Sequence, residues 1–239
     1  MPVIETKNLT KSFGGKTVLS DFNISVNQGE VFGLLGSNGA GKTTAIDCIL
    51  GTKKPDSGTV RILGLNPKTE RKKLFENVGV QFQELHYQDK ITVSELCEMT
   101  SALYHNINDY KRLLLEFGLN EKSKSIVNEL SGGQKQKLFV LLALIPKAKV
   151  IFLDELTTGL DTKARRDIWN ALKKLKENGL TIFLVSHFMD EVEALCDNIC
   201  ILKQGEIVFS GSVQNAIQSS PYKTLENAYL WYSGEEVTE

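Results

Sequence analysis

No stretch of this 239-residue chain approaches the roughly 20 consecutive apolar residues that a membrane-spanning helix needs. The first residues, Met1-Pro2-Val3-Ile4-Glu5-Thr6-Lys7, hold no apolar core of a secretory leader. These two absences predict a chain that is soluble by itself and intracellular. Cysteine is sparse. Cys48, Cys97, Cys196 and Cys200 form no C-x-x-C pair and sit in apolar or helical surroundings, so they read as reduced core thiols rather than a zinc site. An excess of one charge is missing too. A formal net charge of -1 argues against a protein whose main business is coating nucleic acid. The basic cluster Lys68, Arg71, Lys72, Lys73 is interrupted by Thr69 and Glu70 and reads as a solvated helix face, with a docking surface as the alternative. No internal repeat is found. At 41% hydrophobic residues, the chain can bury a core for one large α/β domain or two small ones.

What is present is concentrated in residues 36–44, Gly-Ser-Asn-Gly-Ala-Gly-Lys-Thr-Thr. The apolar run Val31-Phe32-Gly33-Leu34-Leu35 before it reads as a buried strand. After it, Ala45, Ile46, Ile49 and Leu50 share one helical face, and Gly51 stops the helix. Strand, glycine loop and helix thus come in the order a phosphate-binding loop requires. Backbone N–H groups of Ser37, Asn38, Gly39, Ala40 and Gly41 would cup phosphate oxygens, with the helix N-terminus adding its positive end. Lys42 would reach the β- and γ-phosphates, the Thr43 hydroxyl would ligate Mg²⁺, and Thr44 completes the contact set.

Along the chain, residues 1–30 read as half-exposed antiparallel strands around a Gly14-Gly15 turn, joined by residues 59–63. Residues 67–76 read as helix and 78–82 as a short buried strand ending at Gln83. From about 86 to 147 helical patterns dominate: 93–103, 110–117 and 134–145. Continuous apolar runs at 149–153 and 180–185 then read as central parallel strands, separated by a helix over 162–177. Residues 198–202 and 206–209 flank a Gln204-Gly205 turn as a hairpin, and Leu225, Ala228, Tyr229 and Tyr232 mark a short amphipathic helix. The fold class expected is α/β: a mostly parallel sheet, an N-terminal antiparallel β subdomain and an inserted helical subdomain. The expected division is a core of 1–85 and 148–215, a helical subdomain of 86–147 and a tail of 216–239.

Four further stations carry chemistry. Asp154 and Glu155 close the apolar strand 149–153, at the strand end where α/β sheets bind ligands. Neighbouring side chains on a strand point opposite ways, so Asp154 can face a metal while Glu155 orients or deprotonates an attacking water. Ser131 and Gln134 in Leu130-Ser131-Gly132-Gly133-Gln134 fit a capping box. That motif does not account for Gly132 and Gly133 in a helix first turn, or for Lys135 and Lys137 near its positive end. An anion docking there, on Ser131 and the Gly133 amide, would account for both. His187 ends the run 180–185 and could hydrogen-bond a γ-phosphate and its attacking water. Gln83 offers an amide for Mg²⁺ and the water, with Gln81 as a competitor. Phe13 is either core or a ring stacked on adenine.

In this order the stations resemble the ATP-binding subunit of ABC transporters: Walker A at 36–44, the Q-loop at Gln83, the signature at 130–134, Walker B at 150–155, the D-loop at Gly159-Leu160-Asp161 and the H-loop at His187. The match spans residues 3 to about 215, and the tail 224–230 is similar to the end of ABC-2-type exporter subunits. The resemblance implies ATP and Mg²⁺, with Val18 and Asp161 added to the nucleotide contacts. It implies a head-to-tail dimer with a second ATP-binding subunit, each ATP lying between one chain's Walker A and the other's signature. It also implies separate membrane-spanning subunits touched by the helical subdomain and the loop after Gln83, a place on the cytoplasmic face of the membrane, and no nucleic-acid partner. Leu156 stands where the family usually has Pro and is expected to loosen the turn slightly; Phe13 stands where Tyr is frequent. The rival readings are a soluble ABC ATPase of translation or DNA repair, and a nucleotide sensor without turnover.

Overall fold

The computed structural model describes residues 2–81 and 87–236. In chain order the strands and helices are β1 (Ile4–Phe13), β2 (Lys16–Val26), β3 (Val31–Leu35), α1 (Lys42–Ile49), β4 (Ser57–Ile62), α2 (Arg71–Phe75), β5 (Val78–Gln81), α3 (Val93–Ser101), α4 (Tyr110–Glu116), α5 (Gly132–Leu144), β6 (Val150–Asp154), α6 (Thr162–Glu177), β7 (Thr181–Val185), α7 (Met189–Leu195), β8 (Asn198–Lys203), β9 (Glu206–Ser212), α8 (Val213–Gln218) and α9 (Leu225–Ser233). The chain forms two compact units, residues 1–74 with 183–239, and residues 75–182.

In the first unit β2, β1 and β4 make an antiparallel sheet in that order. β1 and β2 are longer than the sequence pattern suggested and meet at the Gly14-Gly15 turn. Thr6 is buried because its hydroxyl both donates to Phe22 O and accepts from Ile24 N–H, each at 3.0 Å. The same unit holds β3, β8 and β9 side by side, β3 parallel to β8 and β9 antiparallel to it. Every residue of β3 is buried, as a strand covered on both faces must be. Leu35, Val192, Ile199, Ile201, Ala216 and Leu225 pack together as one core cluster, which ties α7, α8 and α9 to the β3–β8 pair.

In the second unit β5 and β6 run parallel, Val78 opposite Val150 through Gln81 opposite Leu153. β7 begins beside β6, where Thr181 N–H donates to Lys149 O at 3.1 Å. Its last three residues belong to the first unit, where Phe183 stacks on Phe32 with centroids 5.5 Å apart. α5 lies against β5 at closest range at Gly79, where any Cβ would overlap the Ala143 carbonyl oxygen. Capping boxes start α3 at Thr92/Glu95 and α5 at Ser131/Gln134.

Two departures from the sequence pattern have local causes. The helix expected over 67–76 is reduced to α2. Asn66 Oδ1 accepts from the N–H groups of Lys68 and Thr69, a side-chain turn that keeps those residues out of the helix. The helices α7 and α8 gave no usable periodic signal, since they have seven and six residues.

Candidate functional site

The phosphate loop lies wholly in the first unit. Gly36 must be glycine: a Cβ there would sit 2.6 Å from Leu202 O and 3.0 Å from Ala40 Cβ. Gly41 has φ +111° and would place a Cβ 2.7 Å from Val18 O. The loop is therefore clamped between β2, through Val18, and the end of β8. A third glycine, Gly205, locks it from outside. Gly205 N–H donates to Ala40 O at 2.9 Å, Gly205 O accepts from Ser20 N–H at 2.8 Å, and a Cβ on Gly205 would lie 2.6 Å from Val18 O. Sequence reasoning saw Gly205 only as a hairpin turn; its contact with a loop far away in the chain leaves no local mark.

Lys42 is buried, and its Nζ donates to Gly36 O at 2.7 Å and Ser37 O at 3.1 Å. Its ammonium is thus held across the loop. Ser37, Asn38, Gly39 and Thr43 are exposed and Thr44 is half-buried, while Ala40 is buried. α1 starts at Lys42 with no side chain capping it. Thr92, Asp109, Ser131, Asp161, Ser212 and Thr224 cap α3, α4, α5, α6, α8 and α9, while the short α7 also starts without a side-chain cap. A helix start without a side-chain cap, led by a lysine and a glycine loop, fits an anion as its cap.

Phe13 ends β1 with 46% of its surface exposed, which removes the core reading. Lys11 and Lys53 lie over its ring, 5.1 and 5.9 Å from the centroid. His187 follows β7 and is exposed, its ring 4.1 Å from that of Phe188. The preceding Ser186 is buried and its Oγ accepts from Phe188 N–H at 3.0 Å, which shapes the turn that presents His187.

The acids and the signature helix lie in the second unit. β6 ends on Asp154, half-buried, whose N–H donates to Gln81 Oε1 at 3.1 Å. Gln81 is buried, and its amide oxygen accepts from the backbone of Asp154. Gln83 itself lies outside the described residues. Glu155 has φ +47°, a left-handed backbone rare for a glutamate. Strained backbone of this kind clusters at functional sites. Leu156, after Glu155, is fully buried. Asp161 Oδ1 accepts from Ala164 N–H at 2.9 Å and caps α6.

Ser131 Oγ accepts from Gln134 N–H at 3.3 Å, and Gln134 Oε1 accepts from Ser131 N–H at 3.0 Å. Both Ser131 and Gly132 are exposed at the helix tip. Two parts of the anion argument have other causes. A Cβ on Gly133 would stand 2.8 Å from Ala164 Cβ, so the close approach of α5 and α6 requires glycine there. Lys137 pairs with Asp167 of α6 at 3.1 Å. Gly132 has no such reason, its nearest neighbour being Leu160 Cδ2 at an ordinary 3.6 Å.

Among the described residues no cluster of three His, Cys, Asp or Glu side chains could hold a metal by itself. No described helix is long and apolar enough to cross a membrane.

Comparison with known proteins places this geometry. The model of the ABC transporter family matches residues 19–158. The Nod factor export ATP-binding protein I of Rhizobium etli is 39% identical over 223 residues, covering 91% of this chain and 70% of the relative. Among solved structures, the ATP-binding subunit of an ABC transporter superposes with a TM-score of 0.87 at 26% identity, covering 97% of this chain and 99% of that one. An ATP-binding cassette of an ABC transporter in its ADP conformation gives 0.84 at 26% identity, covering 96% and 99%. With a phosphate loop, an acid-ended strand and a serine-capped helix tip arranged on that fold, the chain belongs to the ABC transporter family and is one of its ATP-binding, ATP-hydrolysing subunits.

Proposed function

We propose that two such subunits clamp ATP head to tail and thereby drive an exporter. The observation that carries this reading is the contrast between two helix starts. α1 in the first unit lacks a side-chain cap, and α5 in the second exposes a serine. Ser131 Oγ spends its acceptor role on Gln134 N–H, which leaves its proton for an outside acceptor such as a γ-phosphate oxygen. One chain's α1 and a second chain's α5 would then share one triphosphate.

The roles of the remaining residues follow from their chemistry. Ser37, Asn38, Gly39, Ala40, Gly41, Lys42, Thr43 and Thr44 hold the phosphates, and Phe13 with Val18 receives the adenine. Glu155 orients the attacking water and takes its proton, and His187 contacts the γ-phosphate. Asp161, which caps α6 through Oδ1, has its second carboxylate oxygen left for the nucleotide site. The hydroxyl of Thr43, the carboxylate of Asp154 and the amide of Gln83 are hard oxygen donors of the kind Mg²⁺ takes alongside phosphate oxygens. The ion would neutralise charge on the β- and γ-phosphates. Membrane-spanning subunits would meet the helical stretch of the second unit, where Met99 in α3 and Leu103 just after it are exposed apolar residues. This puts the subunit on the cytoplasmic face of the membrane. The exporter assignment is supported by the export role in the name of the Rhizobium etli relative.

The test is sedimentation of Glu155→Gln with ATP and Mg²⁺. A dimer that dissociates on nucleotide removal is expected. Monomers at saturating ATP, also with the membrane partner present, would overturn the reading.

A further inference from the structure

The basic cluster at residues 68–73 is not one solvated face. Arg71 Nη1 donates to Leu50 O at 3.0 Å and so ties itself to the end of α1. Lys72 and Lys73 are exposed on α2. Lys68 instead lines a cavity of about 310 Å³ between the end of α1, the strand β4 and the turn before α2. All of its lining belongs to the first unit, and no residue of the phosphate loop is part of it. The volume falls within the range of about 300–1,000 Å³ usual for small-molecule sites. The cavity has an apolar floor and a cationic rim. Cys48, Val60 and Pro67 are buried along it, while Lys53, Lys54, Arg61 and Lys68 are exposed around it. Among the described residues Asp56 is the one acid in the lining, and Lys11 engages it at 2.8 Å. Lys53 pairs with Asp47 at 2.7 Å, and Arg61 with Glu70 at 3.9 Å. Lys54 and Lys68 make no ion pair among the described residues. The Asn66 amide oxygen accepts from the N–H groups of Lys68 and Thr69, which leaves its Nδ2 to donate. Two ammoniums and an amide donor above an apolar floor are complementary to a negative group carried on an apolar body.

We propose that this cavity binds a small organic anion, an aromatic or aliphatic body bearing one acidic group, separately from the nucleotide. The body packs on Cys48, Val60 and Pro67, and the acidic group lies in the field of Lys54 and Lys68.

The experiment titrates the full chain, saturated with ADP, with 8-anilinonaphthalene-1-sulfonate and reads the probe's fluorescence. ADP keeps the probe out of the nucleotide site. One saturable site per chain is expected, and the uncharged analogue N-phenyl-1-naphthylamine should bind at least about fivefold more weakly. Lys54→Glu/Lys68→Glu should raise the Kd of the sulfonate about tenfold, the scale of reversing two exposed charges, and leave that of the uncharged probe within about twofold. Lys72→Glu/Lys73→Glu changes the net charge equally but outside the cavity, and should leave both Kd values within about twofold of wild type. All four lysines are exposed, so neither variant removes core packing. Four results overturn the proposal: no saturable binding of the sulfonate, equal affinity of the two probes for the wild-type chain, an unchanged sulfonate Kd in Lys54→Glu/Lys68→Glu, or an equal loss in both double variants.

Discussion

Single side chains divide here into those whose chemistry is irreplaceable and those whose size is. Lys42 belongs to the first kind. Its Nζ is fixed by Gly36 O and Ser37 O, so the charge stands ready before nucleotide arrives. Lys42→Ala should weaken ATP binding about 10- to 100-fold, the scale of losing charge-assisted hydrogen bonds. Calorimetric titration checks this, and unchanged affinity would remove the phosphate-loop assignment. Glu155→Gln should leave ATP affinity intact and lower turnover about 10²- to 10⁴-fold, the usual weight of a positioned general base. A phosphate-release assay reads it.

Among the elements, the α5–α6 pair shows how packing can imitate ligand chemistry. The spacing Ser131-Gly132-Gly133-Gln134 invites a wholly anion-based account, yet Gly133 is required by Ala164 and Lys137 is engaged by Asp167. Gly133→Ala should lower stability by about 1–3 kcal/mol through overpacking, and adding Ala164→Gly should recover part of it. Thermal melts of the single and double variants decide the matter. No recovery would mean that Gly133 is needed for something other than space. The phosphate loop shows the converse. Its glycines were legible in sequence as a motif. That Gly36 faces Leu202, and that Gly205 holds Ala40, depends on β8 and β9 arriving from far along the chain.

For the molecule as a whole, burial sets the behaviour of the thiols. It pushes Cys97 and Cys200 up to about 12 from the ordinary 9.0. Below pH 9 both folded and unfolded chains keep these protons, and no pH dependence arises from them. Between pH 9 and 12 the unfolded chain releases protons that the folded chain keeps, so stability falls as pH rises. Melting curves across that range should show the decline. At pH 8 iodoacetamide should spare Cys97 and Cys200 until the protein is unfolded, as mass spectrometry can read. At the same scale, the shared-nucleotide arrangement predicts that Ser131→Arg in a Glu155→Gln background prevents the ATP-dependent dimer, while a single chain still binds ATP through its own loop. A dimer that survives the arginine would remove Ser131 from the interface.

The sequence by itself determined what depends on neighbours in the chain. The phosphate loop, the acid-ended strand β6 and the capping box at Ser131 are patterns of a few adjacent residues whose chemistry dictates their local form. The residue order was also enough to reveal the family. Tertiary structure alone decided what depends on distant partners. It showed that Gln81 serves the backbone of Asp154, that Phe13 is exposed, and that Leu156 and Thr157 are buried. Burial and close approach belong to pairs of residues brought together by folding, and no local periodicity records them.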